Sequence, residues 1–216
     1  MDWLPTSAAL LVTGALALAL ASILTPTGSS SADTLRLVQE QDGRWLAASA
    51  IYFLAAVGLM LGLPSVLTLF DLRGRSLGLA GAVALSVGFM GIAGYAMLLV
   101  FFRAMVITHA IRNEAFDDVA HESGLTVFLY VWIVAFYLGE LLLAIGLLRA
   151  DTVRRWIPVL LILHVATFPV STVLPEGLAK ATIFLMVFAF AGLGMRAAGP
   201  PSTFAAPVSR ARTRAR

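Results

Sequence analysis

Apolar residues along this chain do not alternate with polar ones at a strand period, nor do they mark one face of a surface helix. They run in long blocks separated by short polar stretches. A helix that is apolar all the way round must be buried in protein or in lipid. A bilayer crossing needs about 20 mostly apolar residues, and six blocks meet or approach that length. They are residues 8–24, 45–66, 77–100 or beyond, 125–148, 156–173 and 179–195.

Composition agrees with this pattern. Of 216 residues, 60% are hydrophobic and only 12% charged, with a mean hydropathy of +0.92. A soluble domain carries about 25% charged residues, so the polar cover a soluble core needs is missing. The predicted fold class is therefore all-α: a polytopic membrane protein built as a six-transmembrane-helix bundle over residues 1–196. Residues 197–216 contain "PPSTFAAP" and then "VSRARTRAR", which predicts a basic, disordered cytoplasmic tail. The leading "MDWLPTS" has no Arg or Lys, whereas a signal peptide starts positively charged. The first block is expected to stay as a helix.

Charge then orients the bundle. With six crossings, one side receives Arg73, Arg75, Arg149, Arg154, Arg155, Arg196 and the four tail arginines; the other receives Arg36, Arg44, Arg112 and Lys180. Basic residues collect on the cytoplasmic side, so both termini are expected to be cytoplasmic. The same arginines are expected to meet anionic lipid headgroups, and their spacing without aromatics does not suggest nucleic acid. Fourteen of the fifteen basic residues are Arg, and Ala, Leu and Gly abound, a balance associated with GC-rich bacteria. The expected location is a bacterial plasma membrane.

Small residues recur at helical steps: Gly58 and Gly62 in the second block, and Ala80, Ala84, Gly88 and Gly91 in the third. Such faces let helices approach closely in lipid. They predict a tight hairpin between blocks two and three, or a homo-oligomer or partner-protein contact.

The candidate chemistry lies in the few polar groups near these blocks. Glu140 is about 12 Å from the inner end of block four, and His164 is about 12 Å from the inner end of block five, at about 1.5 Å per residue. The short link "RADTVRR" favours antiparallel neighbours, so the two are expected to meet. An unpartnered carboxylate in hydrocarbon is expensive. Tyr137, three residues before Glu140, and Thr167, three after His164, are expected nearby. Pro169 predicts a kink outward of His164. Arg103 comes about 39 Å along block three, too far out for Glu140, and reads as an anchor at the outer interface.

The outer stretch 108–124 carries His109, Asp117 and His121. These are weak metal candidates without a recognised ligand spacing, and the preferred expectation is a short amphipathic helix. Residues 30–41 predict another, ending at Asp42–Gly43, after which Trp45 and Trp156 read as interface belt residues. No cysteine is present, and no hydrolase, zincin, dinucleotide or P-loop motif occurs. His109 and His121 lie at a different depth from His164, which disfavours paired haem ligation. No cofactor is expected, and no catalytic set of residues emerges.

The stretch "LRLVQEQDGRW" at 35–45, with short Arg-rich inner loops, resembles small multi-pass membrane proteins of actinobacteria. That likeness spans about residues 8–196 and implies fold and membrane location only. Two functional expectations stand: a structural or accessory membrane protein, or a small proton- or solute-linked transporter or ligand-binding protein centred on Glu140 and His164.

Overall fold

A computed structural model describes residues 3–28, 30–70, 72–111, 118–119, 121–170 and 173–199, except for the Glu176 side chain. Among the described residues the chain is helical and has no strand. The elements are α1 (Trp3–Leu24), α2 (Ser31–Glu40), α3 (Asp42–Leu67), α4 (Arg75–Ile107) and α5 (Ser123–Ala150). Then come α6 (Trp156–Thr167), a 3-10 turn (Phe168–Val170), α7 (Glu176–Ala181) and α8 (Ile183–Ala198). Among the described residues, five stretches are long and apolar enough to cross a membrane: α1, α3, α4, α5 and Gly177–Ala198. Trp156–Val170 is as apolar but shorter.

The long helices form a closed ring in the order α1, α3, α4, α5, α6, α8 and back to α1. Consecutive members run antiparallel, so the ring has two ends. One carries α2 and α7; the other carries the links 68–74 and 151–155. The tail arginines at 210–216 lie outside the described residues.

Glycines set which helices touch most closely, and here the expected hairpin is not found. The small face of α3 lies on α1: a Cβ at Gly14 would come 2.6 Å from the Leu59 nitrogen, and one at Gly62 would overlap the Leu11 backbone. The Ser7 hydroxyl fixes the same contact by donating to the Leu61 carbonyl at 2.7 Å. The small face of α4 lies on α5, where a Cβ at Gly81 would sit 2.6 Å from the Leu143 nitrogen and Gly88 faces Phe136. Each small face pairs with glycines supplied by the other partner, Gly14 on α1 and Gly139 on α5. Helices α3 and α4 are still neighbours, but through bulky rings: Trp45 on Phe102 at 5.9 Å and Tyr52 edge-on to Tyr95 at 5.5 Å. Ala80 is exposed on the outside of the ring.

Capping accounts for two helix starts. Ser30 accepts the Asp33 N–H at 3.2 Å and opens α2, whose Leu35 and Val38 pack against Trp45, Leu99 and Val106. The break expected at Asp42–Gly43 falls one residue earlier, at Gln41, and Asp42 opens α3. At α5 the Glu122 carboxylate accepts the Leu125 N–H at 2.7 Å. Hydrogen bonds from the backbone N–H groups of Gly124 and Leu125 hold its carboxyl below the usual range.

Trp45 corrects another expectation. It is buried, and its Nε1–H donates to the Leu99 carbonyl at 3.0 Å, so it pins α3 to α4 rather than lying in a belt. Trp156 is exposed at its helix start.

Candidate functional site

The link between α5 and α6 is short and well anchored. Asp151 takes a left-handed φ of 52° and donates its N–H to the Leu147 carbonyl, stopping α5. The Thr152 hydroxyl donates to the Leu69 carbonyl at 2.7 Å, and Arg196 Nε donates to the Thr152 carbonyl at 3.2 Å. With this turn fixed, equal rise along two antiparallel helices brings Glu140 and His164 level.

His164 Nδ1 and Glu140 Oε2 are 2.7 Å apart. Glu140 is fully buried and His164 nearly so. The second carboxyl oxygen, Oε1, has no hydrogen-bond partner among the described residues. Tyr137 adjoins the pair through its ring, whose centroid lies 5.5 Å from that of His164 and 4.4 Å from that of Phe168. Phe136, a residue that spacing did not single out, meets His164 edge-on at 6.4 Å.

Helix α6 stops just beyond His164, and the sequence explains how. Pro169 has no N–H, so the Val165 carbonyl loses its normal helical donor. The Phe168 N–H turns to it instead, in the tighter 3-10 pattern. That exchange would strand the His164 carbonyl, which the Thr167 hydroxyl satisfies at 2.6 Å. Thr167 therefore serves the backbone and not the carboxyl–imidazole pair. The expected kink is a helix end. A second interruption faces it, where Thr182 separates α7 from α8 and its hydroxyl donates to the Ala179 carbonyl at 2.7 Å.

Between these interruptions, at the α2 end of the ring, lies a cavity of about 310 Å³. Its wall includes Tyr52, Tyr95, Trp132, Tyr137, His164 and Lys180, and every helix of the ring contributes to it. Glu140 sits behind His164 and does not reach the cavity. Since Nδ1 is engaged with Glu140, Nε2 is the imidazole nitrogen left to serve the cavity. Lys180 Nζ donates to the Thr25 carbonyl at 3.2 Å, tying α7 to the end of α1.

The remaining candidates lie elsewhere. Arg103 grips Asp42 with both prongs, Nε on Oδ1 and Nη2 on Oδ2 at 2.8 Å, clamping α4 to the start of α3. The acidic partner went unnoticed in the sequence because Asp42–Gly43 has the composition of a helix break. His109 sits exposed past the end of α4 with φ 56°, and His121 is exposed before α5. Asp117 lies outside the described residues, as do residues 112–116 and 120 of the expected 108–124 helix. Among the described residues no three His, Asp or Glu converge to hold a metal. At the opposite end of the ring, Arg154, Trp156 and Arg196 border a crevice of about 530 Å³.

Compared with known proteins, the chain matches no family model, no curated protein and no solved structure, so the site is read from its own geometry.

Proposed function

We propose that this is a six-span protein of a bacterial plasma membrane that binds a small ligand in a cavity opening to the outer side. The observation that carries this reading is His164, held from behind by Glu140 while lining a cavity of about 310 Å³. Ligand cavities start at roughly 300 Å³ and combine apolar walls with a few placed polar groups. A purely structural pair would be expected to pack dry between α5 and α6. Interrupted helices beside the site support the same reading, because transporter sites in membranes use such breaks.

The sixth crossing in this reading is Trp156–Val170. At about 1.5 Å per residue it spans about 22 Å, against a hydrocarbon core of about 30 Å. It is short because the α-helix ends at Thr167, ahead of Pro169, and gives way to the exposed 3-10 turn Phe168–Val170. The arginine bias puts the 68–74 and 151–155 links, with both termini, in the cytoplasm. The crevice beside Arg154 and Arg196 then faces anionic headgroups of the inner leaflet.

Thiol labelling tests the cavity, since the chain has no cysteine of its own. Ile92 lines the cavity yet is 5% exposed, and Leu85, on the same helix, is fully buried away from it. Ile92→Cys is expected to react with a membrane-impermeant maleimide added from outside, because the reaction needs a hydrated thiolate. Leu85→Cys is expected to stay unlabelled. Equal inertness of the two would favour a dry scaffold.

A further inference from the structure

Three side chains on the cavity wall, His164, Trp132 and Lys180, are hydrogen-bond donors, while Thr182, which gives its hydroxyl hydrogen to the Ala179 carbonyl, keeps only acceptor capacity. The buried Glu140–His164 pair has two electrically neutral forms that keep the 2.7 Å bond and leave no donor of the carboxyl group unpartnered. Either the carboxylic acid donates to Nδ1 of a neutral imidazole, or an imidazolium donates to a carboxylate. In both, Nε2 carries a hydrogen. A third neutral form, an acid with its hydrogen on Oε1 whose Oε2 accepts Nδ1–H, would bury an unpartnered O–H donor, and a carboxylate beside a neutral ring protonated on Nδ1 would leave net charge buried. His164 therefore offers the cavity an N–H.

Trp132 holds a second donor next to the cavity. Its indole Nε1–H is buried with no partner among the described residues, and its side chain lines the same cavity. An indole nitrogen can only donate, and a buried donor left unmade is costly. Lys180 contributes positive charge to the wall, and no described lining residue is Asp or Glu. Between these groups lie the rings of Tyr52, Tyr95 and Tyr137.

We infer that the cavity takes a flat ring compound bearing carbonyl or carboxylate oxygens, which accept hydrogen bonds from His164 Nε2 and Trp132 Nε1 near the Lys180 ammonium. Aromatic walls alone would equally suit an organic cation; the donor set and Lys180 oppose one. Two-ring compounds suit the volume, which is at the small end of ligand cavities. This inference rests on the cavity being the binding site.

The test is equilibrium binding to the protein in lipid nanodiscs, with binding to empty nanodiscs subtracted. Four probes share a naphthalene-sized frame: naphthoate, menadione, methylnaphthalene and naphthylmethylammonium. Naphthoate, menadione or both are expected to bind roughly tenfold more tightly than the other two. Preference for naphthoate identifies an anionic head, and preference for menadione a neutral carbonyl one. Trp132→Phe keeps an aromatic ring and removes the donor, so it is expected to weaken the oxygen-bearing probes by roughly threefold to tenfold. It should leave methylnaphthalene unchanged. If all four probes bind alike, or the cation binds best, the donor inference falls and the binding cavity stands. If Trp132→Phe weakens every probe equally, the donor role of the indole falls. If none binds, the cavity reading and this inference fall together.

Discussion

Replacing His164 with leucine is expected to destabilise the bundle by about 3–5 kcal/mol, the cost of breaking a buried pair from one side. The lost hydrogen bond is the smaller part, since polar contacts between membrane helices average below about 1 kcal/mol. The larger part is Glu140, fully buried and left with both carboxyl oxygens unpartnered. Leucine also seals the cavity side, so water cannot take the place of the imidazole. His164→Ala should cost less, because it opens a path from the cavity to the carboxyl. The double variant Glu140→Leu with His164→Leu is expected to recover most of the loss, as apolar replacements of buried pairs commonly do. Reversible unfolding in mixed micelles gives the cycle. A double variant as unstable as the single one would show that the pair is not the source of the effect.

The second large effect concerns the α1–α3 seam. A methyl group at Gly62 would run into the Leu11 backbone, which cannot yield as a flexible side chain would, so α1 must shift as a whole. Gly62→Ala is therefore expected to cost about 2–3 kcal/mol, toward the upper part of the range for overpacking. At Gly94, in the body of α4, the place a methyl group would take has nothing within 4 Å. Gly94→Ala should be stabilising, by up to about 1 kcal/mol, from helix propensity alone. The opposite signs at two interior helix glycines are the informative result, read by the same micelle unfolding. Matching signs would mean that α1 and α3 pack less closely than the Gly62–Leu11 contact requires.

These cases separate what local composition determines from what long-range geometry determines. The long apolar helices follow from the length and purity of each block, so α1, α3, α4 and α5 were legible within a few residues. The level of Glu140 with His164 was also legible, because helical rise is constant and the connecting turn is short. Partner choice was not. Gly58 and Gly62 announce a close contact without saying whether α1 or α4 fills it, and the answer depends on Gly14, far away in sequence. Asp42 looked like part of a break because its partner, Arg103, lies on another helix. Pro169 signalled a disturbance, but whether a helix bends or ends depends on the donors around it, here the Phe168 N–H and the Thr167 hydroxyl. The cavity has no sequence signature, since every helix of the ring contributes to its wall.

Ligand binding at this site requires His164 to face a wet space while Glu140 holds it from behind. Solid-state NMR of imidazole-labelled protein in bilayers addresses this most directly, with the His164 signals assigned by removing His109 and His121. The expected result is a hydrogen on Nε2 that exchanges magnetisation with water, and a second hydrogen shared between Nδ1 and Glu140. An Nε2 without a hydrogen, or one with no contact to water, would contradict that arrangement.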